Sequence, residues 1–311
     1  MGTNFHDSPA SYELFTSLMM PQACNPGSLE YCYTKSHYRG INDLIDYHQQ
    51  KLILVSSVIL METITRKSLL YKSGLGFYAI NHVLGCHHGC RYPCYAYMMA
   101  EHHGRVKSYD EWCTPRLVIN AYELLRRELH RARNKPDCIH LCLSTDPFMT
   151  GYPEVTDMSL RLIELINSHG IECSVLTKGR LPVDLIDRDR FPANNRHGIS
   201  LVSLNEGFRR KWEPNSATYA DRIAALRVLH LNGCETYVHI EPYPTPVVIK
   251  QNLDDLLKTV DFVDHLYFGG WNYNPQAGDV RHFQQFYRDQ AMLVVRFCSE
   301  RNIRYDLGVN V

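Results

Sequence analysis

Apolar residues in the second half of the chain fall into short runs separated by helical periodicity. Ile139 to Leu143, Ile171 to Leu176, Ile199 to Val202, Thr236 to Ile240 and Phe262 to Tyr267 are nearly continuous apolar stretches bounded by turn residues, and each reads as a buried strand. Between and around them, Leu117 to Arg133, Thr156 to Ser168, Tyr219 to Leu231, Leu253 to Val260 and His282 to Glu300 repeat their apolar positions at helical spacing. Gly170 and Gly233 close two of these helices, because glycine takes the left-handed conformation of a helix C-cap. A regular strand-helix succession requires parallel strands joined by right-handed crossovers, so the fold class is α/β, either a doubly wound sheet or a barrel. In both, residues just after the strand ends converge on one rim. Here those are Ser144, Thr145 and Asp146, then Thr177 and Lys178, then Ser203 and Asn205, then Glu241. His265, Tyr267 and Trp271, near the last strand, are further candidates for the mouth of the fold.

Residues 1–74 lack this rhythm and read as an N-terminal extension packing on the body, residues 75–311, with one expected strand at Leu52 to Val55. At 45% hydrophobic and 21% charged residues, the composition is that of a globular protein with a sizeable core. Lys plus Arg and Asp plus Glu both number 33, which removes any overall positive field toward nucleic acid. A local patch from Arg126-Arg127, Arg131-Ala132-Arg133 or Arg209-Arg210-Lys211 stays open. The longest apolar stretch, Leu52 to Leu60, is far short of the roughly 20 residues of a membrane helix. A cytoplasmic protein with no membrane partner is expected, and its 11 cysteines are then reduced thiols rather than a disulfide framework.

Candidate chemistry concentrates after an expected strand at Phe77 to Ile80. Gly85-Cys86-His87-His88-Gly89-Cys90-Arg91-Tyr92-Pro93-Cys94-Tyr95-Ala96 sets three thiols within nine residues of a Gly- and Pro-containing loop. Thiolates are soft ligands suited to zinc or to iron-sulfur clusters. A structural zinc site needs four protein ligands, so His87 or His88 would have to join the cysteines. A 4Fe-4S cluster with one open iron needs three. Cys24 and Cys32 have no neighbouring cysteine pair and read as plain thiols.

The same string resembles the cluster loop of the radical S-adenosylmethionine superfamily, and in detail that of its spore photoproduct lyase-like (DNA repair photolyase) branch. The likeness continues in order through Leu143-Ser144-Thr145-Asp146-Pro147-Phe148, Val175-Leu176-Thr177-Lys178, Ser200-Leu201-Val202-Ser203-Leu204-Asn205, Arg222-Ile223-Ala224-Ala225-Leu226 and Ile240-Glu241-Pro242. One departure is the spacing, because the family places two residues between its second and third cysteines and Arg91-Tyr92-Pro93 supplies three.

The resemblance implies a partial (β/α)6 TIM-like barrel, with a 4Fe-4S cluster on Cys86, Cys90 and Cys94 and S-adenosyl-L-methionine on its open iron. It implies Tyr95 against the adenine or the cluster, Ser144, Thr145 and Asp146 near the methionyl amino group, and Lys178 and Arg222 on the methionyl carboxylate. Ser203 and Asn205 would serve the ribose or methionyl group. No side chain is implied as a general base. The implied activity is hydrogen abstraction from an unidentified substrate, nucleic acid among the candidates, with flavodoxin or ferredoxin as electron donor. The lyase's hydrogen-donating cysteine falls on Leu143, which disfavours spore photoproduct repair and leaves Cys142 as a core thiol. The alternative from a different class is a zinc-stabilised nucleic-acid-binding module without catalysis.

Overall fold

The computed structural model describes residues 61–92, 94–271 and 280–309. Cys24, Cys32, the expected strand at 52–55 and most of the N-terminal extension lie outside the described residues.

An eight-stranded sheet forms the frame. Its strands are β2 (Leu70–Lys72), β3 (Tyr78–Ile80), β6 (Cys138–Leu141), β7 (Glu172–Thr177), β8 (Arg196–Ser200), β9 (Glu235–Tyr243), β10 (His265–Gly270) and β11 (Arg304–Leu307). The spatial order is β11-β10-β9-β8-β7-β6-β3-β2. Every pairing is parallel except β2 with β3. Because β2 and β11 end this order with no further strand partner among the described residues, the sheet there is a partial TIM-type barrel rather than a closed one. Its central six strands, β3 and β6 to β10, match the expected (β/α)6 core.

The strands form because β-branched and apolar residues alternate in burial. In β9, Thr236, Val238 and Ile240 are buried, while Tyr237, His239 and Glu241 point to the opposite, partly open face. The buried face packs under α3 (Ala121–Arg131), α4 (Pro153–Ser168), α6 (Tyr219–Leu231), α7 (Leu253–Thr259) and α8 (Val280–Arg301). Leu125, Leu162, Leu226, Leu257 and Val294 from these helices join Ile139, Val175, Ile199, Val238 and Leu266 from the strands in one core. Gly170 and Gly233, at φ 72° and 74°, terminate α4 and α6 as the sequence suggests.

A second sheet, in the order β1-β5-β4, adjoins the frame. It contains β1 (Glu62–Ile64), β4 (Val83–Leu84) and β5 (Arg116–Val118). The sequence does not foretell it, since strands of two or three residues show no measurable period. Nor does it foretell the short helices α1 (Tyr95–His102), α2 (Tyr109–Cys113) and α5 (Glu206–Trp212). The helix expected from Leu117 begins at Ala121 because Arg116 to Val118 pair with β1 and β4. No helix among the described residues is long and apolar enough to cross a membrane.

Four histidines are held neutral by burial: His82, His140 and His197 have pKa values lowered to about 4, and His239 to about 3. Each folded value lies below the ordinary 6.5, so their contribution to stability is full above that pH and is lost as pH falls toward 4. One pKa unit is about 1.4 kcal/mol, so protonating the fully buried His82 alone costs the fold on the order of 3 kcal/mol. The urea midpoint is therefore expected to fall between pH 7 and pH 5; an unchanged midpoint would refute this account.

Candidate active site

The cysteine loop does not leave β3 directly. Val83 and Leu84 first pair with β5, and the chain turns at Gly85, whose φ is 92°. That conformation favours glycine, and a Cβ there would stand 2.5 Å from the Trp112 carbonyl oxygen. The Cys86 amide donates to the same carbonyl at 2.9 Å, and the Thr145 hydroxyl donates to the Gly85 carbonyl at 2.6 Å. The turn therefore fixes Cys86 between α2 and the end of β6. Gly85→Ala should cost about 1–3 kcal/mol in a urea titration and lower the iron bound after reconstitution, while full iron uptake would show that the turn does not set Cys86.

Cys90 and Cys94 are held by separate contacts. The Tyr109 hydroxyl donates to the Cys90 carbonyl at 2.8 Å, and the Arg91 amide donates to the Trp212 carbonyl at 2.9 Å. Cys94 stands at the N-cap of α1, its carbonyl accepting from the Met98 amide at 3.0 Å. All three thiols are half-buried and outside any disulfide. Cys86 and Cys94 lie against Ala100, Val106 and Trp112, whereas Cys90 lies against the main core. Among the described residues, no three His, Cys, Asp or Glu side chains converge as a single-ion site. Burial raises the pKa of Cys86 and takes that of Cys90 to about 12. These thiols are thus protonated until a metal displaces the proton.

Next to the loop, the rim residues form two buried polar assemblies. In the first, Asp146 accepts from the Phe148 amide at 2.9 Å, the Thr177 hydroxyl at 2.6 Å and the Lys178 amide at 2.8 Å. His88 Nδ1, from the cysteine loop, stands 3.3 Å from the same carboxylate. Burial alone would raise the Asp146 pKa, but His88, the Thr177 hydroxyl and the Lys178 amide outweigh it and hold the group below the carboxylate range. Asp146 thereby ties the ends of β6 and β7 to the loop.

The second assembly centres on Glu213. Its carboxylate accepts from the Arg222 guanidinium at 2.6 Å and from the Tyr92 hydroxyl at 2.7 Å. Both members of the ion pair are fully buried. Arg222 also donates to the carbonyls of Ala217 at 3.0 Å and Ser200 at 2.8 Å, and to the Ser216 hydroxyl. Most of its donors are thus committed inside the protein. The half-buried Lys178 ammonium lies 5.8 Å from the Tyr92 ring centroid. Burial alone would lower the Lys178 pKa, but Cys90, once ionised, and the Glu213 carboxylate raise it, so the ammonium keeps its charge beside the loop.

The remaining sequence candidates have local partners. Ser203 is fully buried, its hydroxyl accepting from the Asn205 amide at 3.1 Å. The Asn205 side chain caps α5 by accepting from the Phe208 amide at 2.9 Å. The Ser144 amide donates to Asn81 at 3.1 Å. Tyr95 is 63% exposed at the start of α1. Glu241 lies within β9 rather than after it, on the inner face with Tyr267, which stacks on His239 at 4.2 Å. Trp271 is no mouth residue; it is buried among Tyr92, Phe208 and Trp212. Cys142 is buried as expected, yet at φ 57° strand alternation does not set its direction; its sulfur lies 3.4 Å from His82 Nδ1. The arginines Arg126 and Arg127 lie on the solvated face of α3, Arg126 paired with Glu123. Sequence reasoning missed Tyr92, Glu213 and Asn81 as organising residues, and named His88 only as a candidate zinc ligand. Only Tyr92 and His88, inside the cysteine loop, carried any local signal.

Residues 80–263 match the family model described as the radical SAM superfamily. The chain belongs to that superfamily. An uncharacterised protein of Methanocaldococcus jannaschii is 23% identical over 70% of this chain and 79% of its own length. Spore photoproduct lyase complexed with dinucleoside spore photoproduct is similar in fold, with a TM-score of 0.50, 18% identity and coverage of 72% of this chain. A cysteine-to-serine variant of that lyase gives 0.51, 18% and 68%. The chain spans 65% and 62% of those two lyase chains. Radical SAM enzymes use a 4Fe-4S cluster and S-adenosylmethionine. The site fits both groups: three soft thiols share one loop, and a charged ammonium stands next to them in a desolvated setting.

Proposed function

We propose that this protein is a radical SAM enzyme in which Cys86, Cys90 and Cys94 hold the 4Fe-4S cluster. The observation that carries the reading is the placing of three thiols on one loop beside the charged Lys178, at the C-terminal ends of β6 and β7. When bound, the cluster supplies the electron that cleaves S-adenosylmethionine to a 5'-deoxyadenosyl radical able to abstract hydrogen from a substrate. Every other task falls to the chain. Lys178 receives the methionyl carboxylate as a desolvated cation. Asp146 fixes the backbone of Lys178 and the position of His88, with Ser144 and Thr145 bordering the methionyl amino group. Arg222, Ser203 and Asn205 hold the end of β8 and the start of α5 beside the loop through their internal partners. Tyr95, exposed at the loop's end, closes over the adenine or the cluster edge. The inner-face residues His239, Glu241 and Tyr267 meet the substrate, for which a nucleic-acid lesion or modified nucleoside is one candidate class. A flavodoxin or ferredoxin supplies the electron.

Anaerobic reconstitution with iron and sulfide tests the reading. The expected results are a cluster spectrum and release of 5'-deoxyadenosine on addition of reductant and S-adenosylmethionine. Protein that binds only zinc and releases none would end it.

A further inference from the structure

We propose that Tyr92 is a positioning residue, a latch whose hydroxyl on Glu213 holds the lengthened cysteine loop so that Cys90 and Cys94 present to one cluster; this rests on the function proposed above. Between those cysteines stand three residues, Arg91, Tyr92 and Pro93. Extra chain in a ligand loop adds conformational freedom, which must be removed before the two thiols keep a fixed separation. Two consecutive residues supply that restraint. The Arg91 amide donates to the Trp212 carbonyl at 2.9 Å, and the Tyr92 hydroxyl donates to Glu213, the next residue in the chain, at 2.7 Å. Tyr92 is only 5% exposed, with its ring edge-on to Trp271 at 5.4 Å.

The anchor itself is rigid. Glu213 is fully buried and ion-paired to Arg222, which is bound in turn to the Ser200 carbonyl at the end of β8. The loop is therefore tied to the frame by a charge-assisted hydrogen bond, stronger and more directional than one between neutral groups. Phenylalanine would satisfy the packing against Trp271 but not the tie. A plain core role and a positioning role thus predict different outcomes for one oxygen atom.

The test compares reconstituted wild type, Tyr92→Phe and Ser216→Ala. Ser216 touches Arg222 and the Glu213 carbonyl but not the loop, so it controls for general loosening of the same network. Iron release to a chelator, the electron paramagnetic resonance spectrum of the reduced cluster, and the melting temperature of cluster-free protein are read for each. Tyr92→Phe should release iron about tenfold faster and alter the spectrum, whereas Ser216→Ala should lower the melting temperature with both cluster readouts unmoved. If Tyr92→Phe keeps the wild-type rate and spectrum, or if Ser216→Ala shifts them equally, the latch is wrong. A wild type that forms no cluster would remove the proposed function and the latch together; a wild type that forms one beside an indistinguishable Tyr92→Phe removes the latch alone.

Discussion

Serine in place of Cys90 should yield folded protein that retains no stable cluster and forms 5'-deoxyadenosine more than about 100-fold more slowly, because losing an outer-shell partner alone costs about 10–100-fold. Cys90 is only half-buried, and Ser differs from it by one atom, so the core against which it packs is barely disturbed. The loss falls on ligation. A hydroxyl is a hard donor that ionises far less readily than a thiol, and it leaves one corner of the cluster without a protein ligand. Iron and sulfide content, read against circular dichroism as a check on folding, decides the matter. Cys113 and Cys138 are half-buried thiols elsewhere in the described residues, and serine at Cys138 should leave iron content unchanged. A Cys90→Ser protein with full iron and wild-type turnover would show that the loop does not carry the cluster.

Removing either partner of the Glu213–Arg222 pair should have the largest effect on stability. Both side chains are fully buried, so Arg222→Ala leaves a carboxylate without its ion-pair partner in a low-dielectric interior, at an expected cost of about 3–5 kcal/mol in urea denaturation. The Tyr92 hydroxyl and the more distant Lys178 ammonium do not replace that direct contact. Replacing both partners with apolar residues of similar volume should be less damaging than the single change, because no uncompensated charge remains. The pH dependence has a definite sign. Burial would raise the Glu213 pKa, but Arg222 and Lys178 outweigh it and bring it below the ordinary 4.5. Its stabilising contribution is therefore full above pH 4.5 and is lost as pH falls through the lowered folded value. Arg222→Ala should weaken or reverse that dependence, because the burial that raises the Glu213 pKa is then opposed only by Lys178 and the Tyr92 hydroxyl. A single variant within about 1 kcal/mol of wild type, against the usual loss for a broken buried pair, would show that the pair is not buried in solution.

These expectations also explain why Arg222 reads differently in the sequence and in the fold. As a cation in an ordered series of rim motifs, it suggests a contact to the cofactor carboxylate. In the structure it holds Glu213, Ser216 and two backbone carbonyls, and Lys178 is the cation left facing the loop. Sequence order places a charge near a rim but does not say which of its neighbours will consume it.

Local patterns made much of this protein legible. Helix α6 spans Tyr219–Leu231 as the periodicity predicts, since each of its turns repeats an apolar position within a few residues. The strands also follow from runs of neighbouring residues, although β8 and β10 are displaced by several positions because pairing partners, not local apolarity, set their ends. The cysteine spacing likewise announced soft-metal chemistry with no knowledge of the fold. What lay beyond the sequence was every contact joining distant segments: Tyr92 to Glu213 across 121 residues, Asn81 to Ser144 across 63, and the small sheet that turns the chain into Gly85. A buried carboxylate has the same letter as a solvated one, and only the folded chain, by excluding water and choosing its partners, turned Glu213 into the anchor of the loop.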